Sequence, residues 1–198
     1  MLLKSKFALM LYLASLIFIF TNAASAHCDS MEGPVVKASQ KALETGNINY
    51  VFVWIRAEDE KEVKAIFDKV NKVRGLSAEA KELADMYFFE TVVRIHRMGE
   101  GVGYTGLKPA GYNPEEGIEA ADIAIEKNSM SEILTHIEEA QHSKVKEYFT
   151  DLQSKKNFDV DDVASGRKYV ESYVHFIHYV ELLYSGDMEK SEEHMHNH

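Results

Sequence analysis

The chain has 198 residues, with 32 acidic against 22 basic side chains for a net charge of −10, and 45% hydrophobic residues including ten Phe and ten Tyr. That acidity argues against a nucleic-acid binder, which needs a basic footprint for phosphate, and the apolar share is ample for a packed core rather than a disordered chain. A single cysteine excludes an internal disulfide, so Cys28 is free, intermolecular or a ligand.

Residues 1–26 read as a removable signal peptide. Lys4 and Lys6 form a basic start, residues 7–20 are an apolar run, and Ala24-Ser25-Ala26 is a small-residue cleavage site. The run is short for a membrane span of roughly 20 residues. Cleavage after Ala26 leaves about one compact domain, beginning His27-Cys28-Asp29. Removing two lysines and no acid takes its net charge from −10 to −12. His27 stands where a lipoprotein cleavage site would want a small residue, so no lipid anchor is expected.

The remainder reads as helix. Pro34 suits a first turn, and Gly46 stops a short helix after Thr45. Tyr50-Val51-Phe52-Val53-Trp54-Ile55 is ambiguous between strand and buried helix. With no partner strand in view, it is read as helix, followed without a turn signal by an amphipathic stretch over 58–74. Gly75 ends that element, and Ser77 caps a helix running to about Met98. Residues 99–113, with Gly101, Gly103, Gly106, Gly111 and Pro109, form the only long irregular stretch. Asn113-Pro114 opens a short helix, and Ser129-Met130-Ser131-Glu132 is a capping box opening another to about Gln153. Asp159 caps the last long helix, which ends at Gly186. The expected architecture is an all-α helical bundle of four main helices plus short ones, with an N-terminal hook. It is a single domain over 27–186, with a polar tail over 187–198.

The hook carries the most specific chemistry. A terminal His27 offers an α-amine and an imidazole, and Cys28 adds an amide and a thiolate, all in adjoining chelate rings. Amine, amide and thiolate can lie in one plane with an imidazole added axially. A bound divalent cation drives off the amine and thiol protons. Soft sulfur with strong-field nitrogen suits Ni(II) or Cu(II) in tetragonal geometry. The competing reading is a flexible exported terminus with an incidental cysteine.

The opening His27-Cys28-Asp29-x-x-x-Gly33 resembles the metal hook of nickel superoxide dismutase, a small exported helical-bundle enzyme. The segment Val36-Lys37-Ala38-Ser39-Gln40-Lys41 is similar to its early helix. The resemblance implies amine and imidazole from His27, and amide and thiolate from Cys28. It departs at Glu32, where that family has a second cysteine, and at Met31, where it has proline. The whole chain also resembles a little-characterised family of bacterial exported helical proteins. The shared pattern is His-Cys-Asp at the mature start, Met86-Tyr87-Phe88-Phe89-Glu90-Thr91, Arg94-Ile95-His96-Arg97, Tyr104-Thr105-Gly106-Leu107-Lys108-Pro109-Ala110-Gly111, and Phe176-Ile177-His178-Tyr179-Val180-Glu181.

Further ligand candidates lie in the helices. Residues 86–98 are apolar nearly all round, which predicts a buried central helix. Glu90 and Arg94, at i and i+4, are expected to pair, while His96 shares a face with Phe89 and Val92. Glu171, His175, His178 and Glu181 form one stripe of the last helix, with His178 on its apolar border. Glu139-Ala140-Gln141-His142 matches one Glu-x-x-His element, whereas a di-iron site needs two. His136 reads as a surface residue. The histidines of the tail, His194, His196 and His198, read as solvated. The expected metal set is therefore His27, Cys28, His96, His142 and His178, around one transition-metal ion, nickel or copper.

Three functions fit these residues. The first is an exported, periplasmic or secreted, metal-binding protein that acts as a redox enzyme on superoxide or a related small oxidant. The second is a non-catalytic metal-binding or trafficking protein, and the third a metal-free structural or interaction bundle. Neither nucleic acid nor, after processing, a membrane is an expected partner, and an oligomer is left open.

Overall fold

The computed structural model describes residues 28–112 and 114–186. The signal segment, His27 and the polar tail lie outside the described residues. Within them the fold is all-α, with helices as the main elements and no strand beyond one isolated bridge. The helices are α1 (Pro34–Thr45), α2 (Asn49–Phe52), α3 (Glu60–Val73), α4 (Ala78–Gly99), α5 (Glu116–Lys127), α6 (Ser131–His136), α7 (His142–Lys155) and α8 (Val163–Ser185). Two 3₁₀ turns, Ala57–Asp59 and Glu139–Gln141, lead into α3 and α7. No described helix is long and apolar enough to cross a membrane.

The bundle has two halves, each organised round its longest helix. In the first, α1 and α3 pack against α4, burying Val35, Val63, Phe67, Phe88, Val92 and Val93. In the second, α5 and α7 pack against α8, burying Ile118, Val145, Leu152, Phe176 and Val180. Trp54 and Val163 pack against both cores. Arg167 of α8 adds a polar tie, donating from Nε to the Ile55 carbonyl and pairing with Glu60 at the start of α3. Gly166 allows the closest approach, because a Cβ there would lie 2.3 Å from Val53 Cγ1.

Several expected boundaries move. Residues 50–55 are helical only as far as Phe52, and Arg56 is extended, so a break separates this turn from α3. The helix expected from the Ser129 capping box is two helices. Met130 occupies the N-cap, and Ile137 and Glu138 are extended, so the chain re-enters helix only at Glu139. An unbroken helix over this stretch would run roughly 37 Å, whereas the break lets α6 pack on α5 while α7 packs along α8. The last helix is capped by Asp162, whose carboxylate accepts from the Ser165 amide at 3.1 Å, and not by Asp159, which accepts from Asp161 in the preceding turn. Ser77 caps α4 as expected, accepting from Ala80 N. The α4 helix is central to its half, but residues 86–98 are not buried all round, since Tyr87 is 58% exposed and Met98 55% exposed.

Candidate metal centre

The hook docks onto the glycine-rich segment. Lys108 N–H donates to the Asp29 carbonyl at 2.8 Å and Met31 N–H to the Lys108 carbonyl at 3.0 Å, so Ser30 and Lys108 form an isolated parallel bridge. Gly33 N–H closes a turn on the Ser30 carbonyl, and Glu32 clasps the far side of the loop by accepting from Gly111 N–H at 3.0 Å. This docking buries Asp29 and Ser30 and packs half-buried Cys28 against the first core, beside His96 of α4.

The α4 helix answers with His96, 4% exposed, and Arg97. His96 Nδ1 lies 2.7 Å from the Trp54 carbonyl, which can only accept, so Nδ1 carries a proton and Nε2 points at the hook. Nε2 is buried and makes no well-directed hydrogen bond among the described residues. It nevertheless has the Cys28 thiol beside it and Glu100 Oε1 at 3.3 Å. Burial pushes the imidazole pKa down, but Cys28 and Glu100 outweigh it and hold it well above the ordinary histidine value. Burial likewise opposes ionisation of Glu100, yet His96, Arg97 and His178 bring its pKa down to about 2.

Behind the hook, Arg97 pairs with Glu100 at 2.6 Å, while its Nε stands 3.6 Å from Asp29 Oδ1. Among the described residues neither that Nε nor that Oδ1 has a hydrogen-bond partner, and burial raises the Asp29 pKa to about 6 against the pull of Arg97 and His96. The Trp54 ring meets His96 edge-on at 6.0 Å and Tyr173 of α8 at 5.7 Å. Tyr173 donates to Asp122 of α5 at 3.0 Å. Burial, Asp122 and Cys28 all push the Tyr173 phenol pKa well above its usual value. The site therefore sits where the two halves meet. A cleft of about 420 Å³ opens beside it, lined in part by Ser30, Glu32 and Asp122.

The sequence model of DUF6448, a family of unknown function, matches residues 32–179. The chain belongs to that family. No curated protein and no solved structure matches it. The match begins at Glu32, so the hook residues Cys28 to Met31 precede it.

Of the expected ligands, Cys28 and His96 come together directly. His178 stands near enough to Glu100 to help lower its pKa, with its own Nδ1 held by Glu181 Oε2 at 3.0 Å. His142 does not join them. It opens α7 and, among the described residues, belongs to no group of three or more potential ligands, and its buried Nε2 has no hydrogen-bond partner there. His175 of the same α8 stripe faces Tyr148 instead, with ring centroids 6.4 Å apart. His136 stacks on Tyr184 at 3.9 Å. Among the described residues, no group of three or more His, Cys, Asp or Glu is arranged to hold a metal ion. The expected Glu90–Arg94 pair does not form. Glu90 accepts from the Tyr104 hydroxyl of the glycine-rich segment, and Arg94 turns to Glu62 of α3 at 3.7 Å.

Sequence reasoning missed Glu100, Arg97 and Trp54 as neighbours of the hook. Spacing alone could have proposed Glu100, since it follows His96 by four residues on one helix face. The Trp54 carbonyl left no signal, because a backbone acceptor has no residue type.

Proposed function

We propose that the chain is exported and cut after Ala26, and that its new terminus binds one nickel or copper ion. The His27 amine and the Cys28 amide and thiolate would form the chelate, with His96 Nε2 as the ligand supplied by the bundle. Such an ion, once bound, would supply one-electron redox chemistry towards superoxide or a related small oxidant. The observation that carries this reading is the juxtaposition of Cys28 with a buried imidazole nitrogen, His96 Nε2, that makes no well-directed hydrogen bond among the described residues and has the Glu100 carboxylate at 3.3 Å. Its orientation by a backbone carbonyl is the arrangement usual for a metal-ligating histidine. A cation held there would have to displace any proton on His96 Nε2, so binding would be coupled to proton release. Likeness of the hook to that of nickel superoxide dismutase supports the same ligand roles. The third member of the set is His27, whose amine exists only after cleavage.

Glu32 favours binding over turnover. It stands at the second-cysteine position of the similar hook, and its carboxylate is engaged with the Gly111 amide. Without a second thiolate the expected dismutation is weak, and metal binding or handling is the alternative function. Mass analysis of exported protein should give a mature start at His27, and any other start overturns the proposal. Processed protein should then hold about one Ni or Cu per chain, whereas protein retaining residues 1–26 should not, because an acylated His27 nitrogen is no ligand. Equal affinity in the two forms would move the site into the helices. Superoxide consumption by the loaded protein, compared with the free ion, decides between enzyme and binder.

A further inference from the structure

The site is joined to a row of oxidisable rings. From His96 the row passes to Trp54, the chain's only tryptophan, at 6.0 Å, then to Tyr173 at 5.7 Å, then to Tyr169 at 6.4 Å. Trp54 is linked to His96 a second time through the 2.7 Å hydrogen bond from Nδ1 to its carbonyl. Tyr173 is buried, whereas Tyr169 is half-buried and, among the described residues, ends the row of oxidisable rings, with the Phe158 ring beyond it. Edge-on and tilted rings at these separations are ordinary core packing. The composition of the row is less ordinary, because its members are the residue types that give up an electron most easily. The middle phenol also already donates to a carboxylate that can take its proton.

We propose that Trp54, Tyr173 and Tyr169 form a one-electron relay between the Cys28–His96 site and the protein surface. The proposal rests on the reading that this site handles a small oxidant. Its use would be to re-reduce the site, or to carry an oxidising equivalent away from Cys28, when a reaction there stops after one electron. Trp54 gives an electron to the site and becomes a radical cation. Tyr173 reduces it and passes its phenolic proton to Asp122, becoming a neutral radical. Tyr169 then reduces Tyr173, which recovers its proton from Asp122, while Tyr169 releases its own proton to solvent. The net change is one electron delivered to the site, one proton released and one tyrosyl radical at Tyr169. A small-molecule thiol or ascorbate-type reductant in solution restores that residue.

The single cysteine permits a test that needs no bound metal. A ruthenium tris-bipyridyl photo-oxidant is attached to Cys28 of the full chain, and a flash in the presence of a one-electron quencher creates Ru(III) there. The expected result is a tyrosyl radical, seen by transient absorption and by trapped-sample electron paramagnetic resonance. That signal should be lost in Trp54→Phe and in Tyr173→Phe, with helix content unchanged by circular dichroism. In Tyr169→Phe, a change at a half-buried edge that leaves the core intact, the radical should remain but stop at Tyr173. Simple recombination of Ru(III) with no aromatic radical overturns the relay. So does a tyrosyl signal that survives both Trp54→Phe and Tyr173→Phe, since the hole then goes elsewhere, such as Tyr104. Metal stoichiometry of the unlabelled, processed chain judges the metal reading separately.

Discussion

Individual residues carry the contacts that set this fold, and Gly166 is the sharpest instance. A Cβ there meets Val53 Cγ1 at 2.3 Å and Phe158 at 2.8 Å, both from elements that α8 must approach closely. Gly166→Ala is therefore expected to lower stability by about 1–3 kcal/mol through overpacking, despite the better helix propensity of alanine. Urea titration of the variant measures this, and Val53→Ala in the same chain should recover part of the loss. An unchanged midpoint would mean that the two elements separate without cost. The same contact shows why residue-level reading of the sequence is incomplete. Gly166 looks like an unfavourable helix interior until the partner 113 residues away is known, and His96, His142 and His178 look equally able to bind metal. Burial against a particular carbonyl, not residue type, distinguishes His96.

At the scale of elements, the turn between α3 and α4 is held by a compact charge network. Asp85 of α4 accepts from Arg74 at 2.7 and 3.0 Å and from Lys81 at 2.7 Å, and Arg74 also donates to the Leu43 carbonyl of α1. Burial raises the Asp85 pKa, but the two cations overcome it and the net shift is downward from 3.8. A depressed carboxylate stabilises the fold at pH values above its unfolded pKa, and that contribution is lost as pH falls through the folded value. Part of the acid denaturation below pH ~4 should therefore belong to this group. Asp85→Asn should cost roughly 2 kcal/mol at neutral pH, because charged hydrogen bonds are lost and half-buried Arg74 loses its partner. It should also flatten the acid limb of the stability profile measured by thermal melts. A variant that loses stability equally at pH 3 and pH 7 would show that ionisation of Asp85 contributes nothing. Helix periodicity made α1, α3, α4 and α8 legible in the sequence, along with the Ser77 cap and the Gly46 and Gly186 stops. The docking of the hook on residues 106–111 was not legible. It is made mostly by backbone groups across a long stretch of chain, which carry no side-chain pattern, with the Glu32–Gly111 bond adding one side chain. The split of the expected 129–153 helix was hidden for a related reason, since only the separate packing of α6 on α5 and α7 on α8 requires it.

For the whole molecule, the question is whether the two halves are one cooperative unit. Each has its own core, yet they share Trp54 and Val163, Val53 from the turn after α2 is buried in the second core beside Gly166, and the Arg167 tie and the Asn47 and Asn49 bonds to Asp161 cross between them. The proposed site uses the same junction, because Cys28 and His96 belong to the first half while Tyr173 comes from the second. A site built across a junction keeps its geometry only if the halves do not open independently. Trp54 is well placed to report this, being the single tryptophan and lying between both cores. Urea unfolding followed by Trp54 fluorescence should coincide with unfolding followed by helical circular dichroism, giving one transition with one midpoint. Arg167→Met should shift both curves together to lower urea. If fluorescence instead changes first while much of the helix signal remains, the halves separate before they melt. Trp54 and Tyr173 would then be neighbours only transiently, and the relay would lose its geometry, while the proposed metal set, whose Cys28 and His96 lie in the first half, would be untouched.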